Sequence, residues 1–112
     1  MNLTASERAI VAALNTIGLP YERLRFGRTA DTYIVYSLLN HQEREFSDDE
    51  AEAEETLYSI DLFSKGNHVE LIRKVKSALK EAGFFDISIE AEIYENDTGY
   101  YHVPFEARYL EV

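Results

Sequence analysis

The sequence predicts a two-layer α+β domain: a four- to five-stranded, mostly antiparallel sheet with two amphipathic helices packed on one face. Three observations predict it. Two segments carry apolar residues at helical spacing between start and stop signals. The stretches between them are rich in β-branched and aromatic residues. The last of the chain, Phe84 to Val112, reads as one C-terminal β-hairpin around Asn96-Asp97-Thr98-Gly99. With 112 residues and 46% hydrophobic content the chain is expected to be a single domain, 1–112, with an ordinary core.

The first helix opens on Thr4-Ala5-Ser6-Glu7, a capping box in which Thr4 serves an orphan amide and Glu7 reaches back. Ile10, Ala13, Leu14 and Ile17 form its apolar stripe, and Gly18 with Pro20 ends it. Tyr21 to Phe26 has the composition of a short strand. Thr32 to Leu39 is β-branched and aromatic on both faces, as an interior strand is. From Phe46 to Glu55 the carboxylates Asp48, Asp49, Glu50, Glu52, Glu54 and Glu55 crowd together, and their repulsion predicts a solvated loop or extended arm. Thr56 to Ser64 is the next strand, with Tyr58, Ile60 and Leu62 on one face. Asn67-His68-Val69-Glu70 opens the second helix. Its buried stripe is Leu71, Ile72, Val75, Ala78, Leu79 and Ala82, and Gly83 is its stop. The relative direction of the strands flanking this helix stays open; a parallel pair would need a right-handed crossover.

In the closing hairpin a three-residue loop with Gly99 in the left-handed conformation sets Glu95 opposite Tyr101. The expected inner pairs are then Ile93/Val103, Ala91/Phe105, Ile89/Ala107 and Ile87/Tyr109. The outer face carries Tyr94/His102, Glu92/Pro104, Glu90/Glu106 and Ser88/Arg108, a wet, acidic surface without a pocket.

Charge excludes some functions. Eleven Lys and Arg against 21 Asp and Glu give a net charge of −10, so phosphate neutralisation, and with it sequence-specific nucleic-acid binding, is not expected. Only Arg73, Lys74, Lys76 and Lys80 gather, on the second helix. There is no Cys, and no apolar run long enough to span a bilayer. Residues 1–20 are too polar for a signal peptide, so a soluble protein made in a cytoplasm is expected. His41 and His102 have no partners at metal-ligand spacing, His68 reads as a cap neighbour in the first turn of a helix, and the acidic segment lacks the alternating ligands and central Gly of an EF-hand. No phosphate loop or nucleophile elbow is present. No catalytic residue, cofactor or metal is therefore expected. Eight Tyr and six Phe are many for this length, and strand-borne Tyr beyond the needs of the core suits protein interfaces. Tyr58, Phe63, Phe105 and Tyr109 are assigned to the core.

Several segments fall in a familiar order. They are the capped helix ending Leu14-Asn15-Thr16-Ile17-Gly18-Leu19-Pro20, the strand Tyr33-Ile34-Val35-Tyr36, the acidic stretch from Phe46-Ser47-Asp48-Asp49, and the strand from Tyr58 to Lys65. The helix Leu71 to Gly83 and a hairpin ending Tyr101 to Tyr109 follow. This layout, over nearly the whole chain, resembles the small tail-terminator, or tail-completion, proteins of long-tailed bacteriophages and prophages, which join tail to head. The resemblance implies a structural virion protein and not an enzyme. It would form a homo-oligomeric, hexameric ring on the head-proximal end of the tail tube, after assembly in the bacterial host cytoplasm. Its partners would be the tail tube protein and the head connector or stopper protein. In such a ring Asp48, Asp49, Glu50, Glu52, Glu54 and Glu55 would face the lumen or a subunit contact, and Arg73, Lys74 and Lys76 would offer a basic contact face. Carboxylates lining a channel would keep sliding DNA from adhering. Two other readings fit an acidic, Tyr-rich small domain: a nucleic-acid mimic that inhibits a basic enzyme, or another protein-interaction module. A ligand-binding dimer is a further alternative.

Overall fold

The computed structural model describes residues 4–45 and 52–111. In chain order they form α1 (Ala5–Ile17), β1 (Tyr21–Arg23), β2 (Thr32–Glu45), β3 (Glu52–Ser64), α2 (Val69–Glu81), β4 (Phe85–Ile89), β5 (Ile93–Glu95) and β6 (Tyr100–Glu111). The expected α+β architecture is found, with six strands in the order β1-β2-β3-β6-β4 and β5 beside β4 on β6. Every pairing is antiparallel except β1 with β2. The strands flanking α2 are not neighbours: β3 and β4 both run antiparallel to β6, which lies between them, so they are parallel to each other.

Helix α1 forms where its cap directs; α2 starts after His68, whose side chain makes no cap hydrogen bond, while Asn67 Oδ1 accepts the Val69 amide at 3.2 Å. The Thr4 hydroxyl accepts the Glu7 amide at 3.2 Å, and Gly18 ends α1 at φ +82°. α2 ends in a Schellman arrangement: the Phe84 amide reaches the Leu79 carbonyl and the Gly83 amide that of Lys80. Gly83 sits at φ +101°, where a side chain would be strained. Ile10 and Leu14 of α1 and Val75 and Leu79 of α2 close over Ile34, Tyr58, Ile60, Leu62, Val103 and Phe105 of the sheet. All of these side chains are buried; each contributes about 1.5–3 kcal/mol by leaving water.

The hairpin register differs from the expected one. Glu95 pairs with Tyr100, not Tyr101, so the loop holds four residues, closed by the Gly99 amide on the Glu95 carbonyl at 2.8 Å. The chain leaves the ladder at Glu90 to Glu92, and β4 joins with Ser88 opposite Glu106 and Ile89 opposite Phe105. Turn chemistry placed Gly99 correctly at φ +78°, but a four-residue loop and a broken strand shift the partners by one and then two positions. β6 keeps its faces because it pairs with β3 along its whole length, leaving Val103, Phe105 and Ala107 inward. Ile89 and Ile93, expected inside, are exposed.

The acidic stretch also departs from expectation. β2 runs on to Glu45 and β3 begins at Glu52, so Glu52, Glu54 and Glu55 lie in a strand and not in a loop; Asp48, Asp49 and Glu50 fall outside the described residues. Cross-strand hydrogen bonding overrides the repulsion of adjacent carboxylates, since alternate residues point to opposite faces. An irregularity at Leu39 shifts the register, and every β2 residue from Leu38 to Arg44 is exposed.

Candidate interaction surfaces

The sheet face turned away from the helices is aromatic, not the wet acidic surface expected. The connection from β1 to β2 crosses it and lays Phe26 on Tyr33, with centroids 4.2 Å apart. Tyr33 stacks on Phe63 at 4.8 Å, and Phe63 on the His102 imidazole at 4.3 Å, so four parallel rings span the connection, β2, β3 and β6. Tyr100 meets Tyr33 and Phe63 edge-on, and its hydroxyl donates to the Ala30 carbonyl at 2.5 Å, pinning the crossing segment. Arg28 lies over Phe26 and Lys65 over Tyr100. His102 is held between Asp61 (Nε2 to Oδ1, 3.0 Å) and Glu95 (Nδ1 to Oε2, 3.5 Å). Burial, and then the neighbouring Tyr100 and Glu95, push the Tyr33 phenol up. Phe63, assigned to the core, belongs to this outer stack. A shallow groove of about 330 Å³ remains beside it, lined by Leu24, Arg25, Phe26 and Val35 among others.

Glu55 is the anchor of the acidic segment. Only 6% exposed, it accepts from Arg108 Nη1 at 2.8 Å and Arg44 Nη2 at 3.1 Å, joining β2, β3 and β6. Burial alone would raise its carboxyl; the hydrogen bonds and charges of the two guanidinium groups outweigh it and hold Glu55 below the usual range. Arg108 is thus committed to Glu55, and the expected Glu90/Glu106 pair does not form because Ser88 stands opposite Glu106. Glu54 is exposed, 3.5 Å from His41. Arg73 and Lys74 line a groove of about 670 Å³ between the end of α1 and α2, with Glu70 and Glu81 on its walls; Lys76 is exposed outside it.

A buried polar cluster ties α1 to the sheet. Glu7 does not complete the capping box: its carboxylate accepts from the Tyr36 hydroxyl at 3.4 Å and faces Arg23 Nε at 3.2 Å. Its Oε1 is buried without an aligned hydrogen bond. Burial and the nearby Glu7 carboxylate push the Tyr36 phenol up to about 12. Ser6 meets the buried Tyr58 hydroxyl at 3.0 Å, and its amide donates to Glu111 Oε1 at 2.8 Å. His68, at the start of α2, stacks on Tyr101 and bonds Glu92 at 2.5 Å.

The two sheet edges differ. β4 and β5 leave Phe85, Ile89, Ile93 and Tyr94 exposed, interspersed with Asp86, Glu90 and Glu92. β1 is three residues long and is followed by a tight turn in which the Arg25 amide bonds the Arg23 carbonyl at 2.8 Å. The turn holds Leu24 at φ +72° and 71% exposed. Among the described residues no three His, Cys, Asp or Glu side chains group to hold a metal, and no helix is long and apolar enough to cross a membrane.

No protein-family model and no curated protein matches the chain. Among solved structures, a chain from the virion of a native gene transfer agent particle is similar to it at 15% identity and a TM-score of 0.46, over 90% of this chain and 86% of that one.

Proposed function

We propose that this protein is a structural component of a tailed-phage virion that caps the tail tube and joins it to the head connector. It acts as a homo-oligomeric, hexameric ring and not as an enzyme. What supports the reading is the resemblance in segment order to tail-terminator proteins, now with a physical counterpart. The one observation that carries it is the kind of surface the fold displays. A rigid ring stack, a long exposed β2 end and two unlike sheet edges suit contact with other proteins along a broad front. The net charge of −10 suits a channel wall that does not hold DNA. In this reading Glu54, exposed in β3, faces the lumen or a subunit contact with Asp48, Asp49, Glu50 and Glu52, whereas Glu55 is an internal tie.

Electron microscopy of the protein mixed with purified tail tubes tests the proposal, with rings expected at one tube end. Complementation of a phage lacking its own terminator gene is the functional counterpart, scored by free heads and overlong tails. Bare tube ends together with failed complementation would refute it.

A further inference from the structure

We infer that the apolar, acidic β4–β5 edge of one copy seats on the β1 side of a second copy, through the exposed Leu24 and Arg25. The inference rests on the ring in the proposed function and deepens it by naming the contact. Charge complementarity is the first argument. Arg23, Arg25 and Arg28 fall on the β1 side beside Glu22 and Asp31, while Asp86, Glu90 and Glu92 line the opposite edge, Glu92 bonded to His68. Arg23 and Arg28 are committed to Glu7 and Glu22. Arg25 is exposed and makes no ion pair among the described residues.

The second argument is apolar exposure. Leu24 is 71% exposed at a positive φ, a conformation that disfavours Leu and that Asn or Asp would adopt more readily. Within one copy the turn is held by the Leu24 amide on the Tyr36 carbonyl and the Arg25 amide on the Arg23 carbonyl, both at 2.8 Å, while the Leu24 side chain itself stays in water. On the other edge Ile89 and Ile93 are 45% and 42% exposed, with no Lys or Pro in β4 or β5 to blunt it. The groove beside Leu24 is open to take such a side chain. Because the two surfaces are different and lie at opposite edges of one sheet, the contact is heterologous. Repetition then yields a ring if the rotation closes and a filament if it does not.

The test uses Leu24→Asp and Ile93→Asp, both at exposed positions, with circular dichroism to confirm folding. Sedimentation velocity should show the wild type associating and each variant alone as a monomer. An equimolar mixture of the two should give a discrete pair, since one intact contact remains and the other would carry Asp on both sides. A monomeric wild type, association retained in either variant, or a mixture that does not pair would overturn the inference. A wild type that caps tail tubes yet sediments as a monomer would overturn this contact alone. Association through these edges with bare tube ends would overturn the capping function alone.

Discussion

Replacing Glu55 by Gln tests whether the acidic segment is a built part of the sheet. The carboxylate accepts two charge-assisted hydrogen bonds, from Arg44 and Arg108, each of the kind worth about 1.5–3 kcal/mol net. Gln keeps one carbonyl oxygen, so one of the two bonds survives without its ionic component. The guanidinium side chains are 48% and 34% exposed, so water screens part of the attraction and solvates whichever group loses its partner. The expected cost is about 2 kcal/mol, a fall of roughly 8 °C in Tm for a domain of this size. Glu54→Gln, one residue away and exposed, should change stability by less than about 0.5 kcal/mol. Urea unfolding at neutral pH reads both variants as shifts in midpoint at constant slope. The Glu55 carboxyl is lowered in the folded state, so its contribution is complete above the ordinary glutamate value of 4.5 and is lost as pH falls through the folded value. The gap between wild type and Glu55→Gln should therefore close in acid. Equal midpoints for the two Gln variants at neutral pH would refute the anchoring role of Glu55.

Three further outcomes are expected. Phe105→Asp buries an unpaired charge between Ile60 and Ile89 and should cost several kcal/mol, about 3 or more, whereas Glu106→Lys on the outer face should be nearly silent; chemical denaturation orders the two. Tyr36 is lifted to about 12, with Tyr33 and Tyr58 also raised, so ultraviolet titration should show three of the eight tyrosines ionising late. The stability these three contribute, complete below pH 10, should decline as pH rises through their folded values. Gly83→Ala forces a side chain into φ +101° with its Cβ 3.4 Å from the Tyr109 ring, and thermal melting should report a loss of about 1–3 kcal/mol.

The elements that sequence makes legible are those fixed by local chemistry. Thr4 and Gly18 bound α1, Gly83 stops α2, and the stripe containing Val75 and Leu79 is buried as its spacing predicts. What sequence hides is set by partners far along the chain. The β6 faces are right, but the partners of Ile89 and Ile93 depend on a break at Glu90 to Glu92 that no turn residue announces. The ring stack needs Phe26, Tyr33, Phe63 and His102 from four separate segments, so no spacing reveals it; the only hint was an excess of aromatic residues. Glu55 resembles its acidic neighbours in sequence and differs only because Arg44 and Arg108 reach it from other strands. Of the basic residues named from sequence, Arg73 and Lys74 share a groove because helical spacing puts them at its wall, and Lys76 turns elsewhere.

The bond from the Ser6 amide to Glu111 joins residues 105 positions apart. It gives the order of synthesis a physical meaning. Helix α1 leaves the ribosome before β6, so one of its leading amides finds its acceptor only when that strand is made. Until then the helix relies on Thr4 alone for its cap, and the Tyr58 hydroxyl that meets Ser6 also arrives late. The nascent helix is thus held back from its final setting until β6 closes the sheet, so that a broken-off chain presents a frayed start and an unfilled core instead of a near-native subunit. In the proposed ring, that dependence would keep incomplete chains out of the assembly.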